Sequence, residues 1–138
     1  MALHHMQIGE VAEQTSLSLR TIRYYEEMGL VTPSARTNGG FRLYSDTDVA
    51  RLMLIRRMKP LDFSLDEMRE VLGVLDALDA TDPATPAHDE LVERLGGYRL
   101  VAESRVTALR EQLEVAESFA ADLRREIGRQ KRLTRQGS

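Results

Sequence analysis

The sequence predicts a mainly α fold in two parts, a small helical front end and one long C-terminal helix. Three observations predict it. Short apolar stripes at helical spacing recur between residues 8 and 78, each bounded by turn or capping residues. No proline interrupts the chain from Pro86 to Gln130, where apolar residues step by three and four in alternation. Charged residues make up 30% of the chain and aromatics only 5%, a balance that suits exposed helices better than a large compact core.

In chain order, Met1–His5 reads as an extension, and the folded part begins at Met6. Ile8, Val11 and Ala12 give a short helix over 8–14 one buried stripe. Thr15-Ser16-Leu17-Ser18 is a polar break with one apolar anchor. A second short helix follows from Leu19 to Met28, with Ser18 as N-cap and Gly29 as stop. Leu19, Ile22, Tyr25 and Met28 form its buried side. Arg20, Thr21, Arg23 and Tyr24 fall on the flanks and outer side, and these are the side chains that reach phosphates and base edges. Short helix, tight turn, short helix is the helix-turn-helix pattern, whose second helix enters a major groove.

Asn38-Gly39 then signals a hairpin with a type I′ turn. Its arms carry Arg36 on one side and Arg42 and Tyr44 on the other. A two-stranded ribbon this small must pack on helices. Placed after a helix-turn-helix it is a wing, with cations suited to backbone phosphates. Ser45 to Asp48 and Ser64 to Glu67 read as capping boxes. The helix opened by the first runs to about Met58, ends before Pro60 and carries Arg51, Arg56 and Arg57. Lys59 follows it. The helix opened by the second carries Leu65, Met68, Val71, Leu72, Leu75 and Leu78, with Gly73 inside it.

Residues 79–85 form a linker rich in Asp, Thr, Ala and Pro. Thr85-Pro86 reads as N-cap and first helical residue. The long helix, 86–130, would extend on the order of 65 Å. Val106, Leu109, Leu113, Ala116, Ala120, Leu123 and Ile127 make its seam, and Ala116 and Ala120 let two helices approach closely. A lone helix leaves that seam wet, so a homodimer is expected. Residues 131–138 are basic and polar and read as a frayed tail.

Charge and composition exclude several functions. The net charge is −3, but it divides unevenly. Residues 1–60 hold eight Lys/Arg against six Asp/Glu, and residues 61–138 hold eleven against sixteen. A basic front and an acidic, solvated back fit a nucleic-acid binder. The chain has no cysteine, which removes disulfides, thiolate metal sites and thiol redox sensing. His4, His5 and His88 do not cluster at ligand spacing, so no metal and no other cofactor is expected. Without a clustered His set or a glycine-rich phosphate loop, an enzyme is not expected. No membrane span and no secretory signal are visible, so a cytoplasmic protein is expected.

Ile8-Gly9-Glu10-Val11-Ala12, Thr21-Ile22-Arg23-Tyr24-Tyr25-Glu26, Gly29-Leu30, Gly40-Phe41-Arg42-Leu43-Tyr44 and Phe63-Ser64-Leu65-Asp66-Glu67-Met68 stand in this order across residues 7–75. The chain thereby resembles the MerR family of bacterial transcription regulators. The resemblance implies a winged helix-turn-helix DNA-binding domain at 6–78, followed by a long C-terminal coiled-coil dimerisation helix that pairs antiparallel. It implies double-stranded promoter DNA as partner, bound at a pseudo-palindromic operator, often in an overlong spacer between promoter elements. Bending and untwisting that spacer would let RNA polymerase read both elements, an indirect partnership.

By position the resemblance assigns DNA contact to Ser18, Arg20, Thr21, Arg23 and Tyr24, and in the wing to Arg36, Arg42 and Tyr44. For Tyr24 and Tyr44 a packing role stands beside the DNA role. Unlike the metal-sensing members the chain lacks cysteines, and it lacks the large C-terminal ligand domain of the drug-sensing members. Either a small organic effector binds between the long helix and the front domain, or there is none. The alternative to a regulator is an architectural DNA-binding protein without an effector, which the same front end would serve. A coiled-coil adaptor whose front domain binds protein is the third reading.

Overall fold

The computed structural model describes residues 5–137; residues 1–4, most of the expected extension, and Ser138 lie outside them. Among the described residues the chain forms β1 (His5–Met6), α1 (Ile8–Thr15), α2 (Leu19–Glu27), β2 (Ala35–Arg36), β3 (Arg42–Ser45), α3 (Asp46–Met58), α4 (Leu65–Asp79) and α5 (Pro86–Gln136). A 3₁₀ turn at Lys59–Leu61 separates α3 from α4, where Pro60 removes a backbone donor. Two compact units result, one reaching Tyr98 and the other starting at Arg99.

The front unit has one core. Met6, Val11, Ile22, Leu30, Val31, Tyr44, Leu52, Ile55, Met68, Leu72 and Val74 are all at most 2% exposed. Their spacing along each helix is the reason the helices form where they do, because each buries one stripe. α1 packs on α2 and α3. Ser45 and Ser64 close complete capping boxes with Asp48 and Glu67, so both following helices start where local chemistry sets them. Asp48 is also buried and accepts from the Ser34 amide, the Ser34 hydroxyl at 2.5 Å and the Ser45 amide at 2.9 Å. It therefore ties the strand of the wing to the start of α3.

The sheet differs from the expected two-stranded ribbon. Its order is β1-β3-β2, all antiparallel, with Met6 opposite Tyr44 and Arg36 opposite Arg42. His5 is thus part of the fold, paired with Ser45, and not of an extension. A two-residue strand has no period for a sequence to show. The turn differs too. Gly40 N–H donates to Thr37 O, and the positive φ of +83° falls on Gly40, not on Asn38 or Gly39. That is a turn closed by a left-handed glycine, so the glycine after the Asn-Gly pair satisfies the twist.

α5 continues six residues beyond the expected end at 130, to Gln136. The basic tail is therefore helical, as cations near a helix C-terminus favour. The linker is shorter than the expected 79–85, since α4 includes Asp79. Thr85 Oγ1 accepts from His88 N–H and caps the start of α5. The first residues of α5 belong to the front unit, where Tyr98 donates a hydrogen bond to Glu70.

Candidate nucleic-acid interface

The candidate interface is built on α2. Ser18 Oγ accepts from Thr21 N–H at 3.0 Å and donates to Thr21 Oγ1 at 2.8 Å. Both hydroxyls, expected as DNA contacts, thus shape the helix N-terminus first. Upstream, Ser16 takes a left-handed φ of +58°, and Thr15 Oγ1 donates to Val11 O. That single left-handed residue turns the chain between α1 and α2. Downstream, Gly29 at φ +75° lets the chain leave α2, and Arg69 donates to Met28 O at 2.8 Å. Both ends of α2 are therefore fixed by named contacts.

Ile22 and Tyr25 anchor α2 in the core at 0% and 3% exposure. Arg20 and Arg23 are exposed and Tyr24 is 42% exposed. The Tyr24 and Tyr25 rings sit 5.9 Å apart, tilted by 48°. One ring is the anchor and its neighbour faces outward. Leu17, Arg20, Thr21, Tyr24, Tyr25, Arg56 and Lys59 line a concavity of about 390 Å³. Three cations around an aromatic floor suit a phosphate that passes over the end of α3. Arg56 and Lys59 were visible in the sequence only as part of a basic run. Nothing local says which of those cations meets α2. Arg51, from the same run, instead donates to Leu30 O at 2.5 Å and pairs with Asp76.

The wing residues are organised by an acid that sequence reasoning left out. Arg36 and Arg42 stand directly opposite each other across the β2–β3 ladder. Like charges in that position repel. Glu26 of α2 offsets this: its carboxylate lies 2.5 Å from Arg42 Nε and 3.6 Å from an Arg36 guanidinium nitrogen. The Arg42 Nε–H is not aligned for a hydrogen bond, so charge carries that contact. Arg36 also donates to Gly40 O at 3.0 Å, across its own turn. The two arginines are thus held against α2 and are not loose cations.

Tyr44 is a correction. Its ring is fully buried, so it cannot be the wing contact expected of it. The packing role prevails because Tyr44 pairs with Met6 and points inward, the opposite face to Arg42's neighbour positions in the strand period. Its hydroxyl donates to Glu26 Oε2 at 3.4 Å. Burial first, and the Glu26 charge second, push the phenol up to about 12, so it stays a neutral donor. Phe41, by contrast, is 67% exposed beside the wing turn, an aromatic that the motif contained but sequence reasoning gave no role.

The expected dimerisation residues all lie on α5, which has no buried residue. Leu109, Leu113, Leu123 and Ile127 are 41–58% exposed, Ala116 and Ala120 are exposed, and Val106 is half-buried. Among the described residues no group of three or more His, Cys, Asp or Glu gathers at metal-holding distance, and no helix is long and apolar enough to cross a membrane.

Comparison with known proteins gives this geometry a family. The model for the MerR HTH family regulatory protein matches residues 6–74. The HTH-type transcriptional regulator ZntR of Escherichia coli (strain K12) is 44% identical over 68 residues, 49% of this chain and 48% of its own length. The mercuric resistance operon regulatory protein of Bacillus cereus is 46% identical over 68 residues, 49% of this chain and 52% of its own. The chain spans about half the length of the curated relatives it matches. Among solved structures, PbrR691 from Ralstonia metallidurans CH34, in complex with lead(II), is 32% identical with a TM-score of 0.54, covering 87% of this chain and 86% of that one. HiNmlR, a MerR family regulator lacking the sensor domain and bound to promoter DNA, shares the fold at 21% identity, with a TM-score of 0.60 over 86% of this chain and 89% of that one. A family model over half of the chain, and a solved relative aligned over most of both chains, lead to one conclusion: this chain belongs to the MerR HTH family.

Proposed function

We propose that the protein is a transcription regulator that binds double-stranded promoter DNA as a homodimer, with α2 in the major groove and the wing on the flanking backbone. The observation that carries this reading is the division of α2. Ile22 and Tyr25 are buried, while Arg20, Arg23 and Tyr24 are exposed beside the cations Arg56 and Lys59. Arg20 and Arg23 would reach base edges and phosphates, and Tyr24 would lie against the backbone. Ser18 and Thr21 would fix the helix N-terminus on a phosphate. Arg36 and Arg42 would neutralise phosphates at the wing, with Phe41 against the sugars.

The exposed seam Val106, Leu109, Leu113, Ala116, Ala120, Leu123 and Ile127 supports the dimer, since these apolar side chains have no cover in one chain. A dimer presents two α2 helices to two half-sites about one helical turn apart, and the operator mirrors its symmetry. Distortion of the DNA between promoter elements would then act on RNA polymerase without touching it. The cytoplasm is where such a protein would meet its DNA. The chain has no cysteine and so offers no thiolate to a soft ion such as the lead(II) of PbrR691. An effector, if the protein uses one, would be a small organic molecule.

Selection of bound fragments from genomic DNA, followed by footprinting, tests the proposal. One protected pseudo-palindrome, with affinity falling steeply as salt rises, is expected. Extended coverage without a preferred site would favour an architectural protein. No salt-dependent affinity for any DNA would overturn the reading in favour of a protein-binding adaptor.

A further inference from the structure

The seam of α5 contains more than a tendency to pair. Val106, Leu113, Ala120 and Ile127 recur every seven residues at one core position of the heptad, and Ala102, Leu109, Ala116 and Leu123 at the other. Large and small residues therefore alternate within each set. The charged flanks alternate as well. Glu103, Arg110, Glu117 and Arg124 occupy one flanking position of successive heptads. A ladder whose charge changes sign at every heptad is a register code. It rewards one alignment and penalises a slip of one heptad.

Resting on the dimer reading, we propose that two copies pair their α5 helices antiparallel in a single register, with Leu113 of one copy facing Ala116 of the second copy. In that register every large residue on either side of the centre meets a small one: Leu109 faces Ala120 and Ile127 faces Ala102 of the second copy. Val106 faces Leu123. Packing is then even along the seam, with no two alanines left opposite each other. On the flank, antiparallel helices bring like heptad positions together. Arg110 meets Glu117 of the second copy, and Glu103 meets Arg124, each pair occurring twice by symmetry.

The competing alignments fail on the same residues. Sliding one helix by a heptad in one direction brings Glu117 against Glu117 and Arg110 against Arg124, and sets Ala116 opposite Ala120. Sliding it the other way brings Arg110 against Arg110 and Glu103 against Glu117, and sets Leu109 opposite Leu113. A parallel pair in register faces Ala116 with Ala116 and Ala120 with Ala120, opening two holes in the seam. It also brings Arg105 against Arg110. Size and charge, two independent properties, select the same alignment.

Charge reversal on the full-length protein tests this. Arg110→Glu and Glu117→Arg each turn two attractive pairs into two repulsive ones. Each alone is expected to raise the dimer dissociation constant by about ten-fold in low salt. Arg110→Glu with Glu117→Arg in one chain restores wild-type dimerisation, because the pair is merely exchanged. Mixing the two single variants gives a heterodimer in preference to either homodimer, read by native mass spectrometry. Because the chain has no native cysteine, disulfide mapping gives a second, charge-independent readout. Leu109→Cys with Ala120→Cys cross-links two copies on mild oxidation, whereas Leu109→Cys alone does not. Cross-linking by Leu109→Cys alone indicates a parallel pair and overturns the proposal. So does preferential cross-linking of Leu113→Cys with Leu123→Cys, which meets only after a one-heptad slip, or failure of the double reversal to restore the dimer. A wild-type chain that sediments as a monomer refutes the dimer itself, a result distinct from any of these.

Discussion

Removing the Glu26 carboxylate is the sharpest perturbation of the wing. Glu26 is 16% exposed at its side chain, Arg42 is 35% and Arg36 is 52%. Solvent-exposed ion pairs contribute about 0–1 kcal/mol, while breaking a buried pair costs about 3–5 kcal/mol. The Glu26–Arg42 pair at 2.5 Å lies between these limits. Its loss also leaves two arginines facing each other across a ladder and takes an acceptor from the buried Tyr44 hydroxyl. Glu26→Ala is therefore expected to destabilise the front domain by about 2 kcal/mol, a fall in Tm of roughly 8–16 °C for a domain of this size. A double-mutant cycle by thermal or urea unfolding separates the partners. Coupling of Glu26 to Arg42 should be about 1–2 kcal/mol, and to the more exposed Arg36, at 3.6 Å, below about 0.5 kcal/mol. The Arg42 coupling should persist in high salt, because the pair is shielded from solvent ions. Equal coupling to both arginines, or an unchanged Tm, would refute this account of the wing.

Four further outcomes follow from the same geometry. Arg23→Ala should weaken operator binding by about 1–3 kcal/mol in a gel shift without changing the Tm, because the side chain is exposed. Gly40→Ala should destabilise by about 1–2 kcal/mol through its φ of +83° alone, while Gly73→Ala inside α4 should stabilise by roughly 0.5–1 kcal/mol, since a Cβ meets nothing within 4 Å at either position; urea unfolding reads both. Asp48→Ala should cost about 2–4 kcal/mol by the same measurement, because it strands three donors and breaks a capping box. Tyr44 ionises near 12 in the fold against an ordinary 10.0, so its contribution to stability is complete below pH 10 and is lost as pH rises from about 10 to 12. Tyr44→Phe should make the alkaline fall in Tm shallower, and an identical slope would contradict its burial.

Local chemistry explains what could be read from the residues alone. Ser18, Ser45 and Ser64 each cap a helix through contacts three residues away, so all three starts were legible. The period of Ile22 and Tyr25 fixed which side of α2 faces out, and with it the exposure of Arg20, Arg23 and Tyr24. What escaped depends on distant partners. β1 is two residues long and exists because Met6 meets Tyr44, 38 positions away in the chain. Tyr44 looked like a wing contact because its neighbour Arg42 does, yet the strand period turns it inward and β1 covers it. Asn38-Gly39 gave a correct hairpin and a wrong turn, because Gly40 supplied the left-handed residue one position later. The tail was read as frayed from polarity, although polar, basic residues are good helix formers and suit a C-terminus.

Glu26 shows why net charge is a poor guide to an interface. An acid inside a basic site lowers the charge that composition reports, and a count reads it as a cost to DNA binding. In the fold it stands between Arg36 and Arg42, whose opposition across the ladder would otherwise drive the strands apart. The acid therefore lets two cations sit close enough to meet adjacent phosphates, which a wing without it could not hold. The same reasoning applies to the chain as a whole. Its acidic excess belongs to residues 61–138, much of it on α5, where alternating signs along one flank direct pairing of the helix. A chain of net charge −3 can thus present a cationic face to DNA, because its acids stand either behind that face or between its arginines.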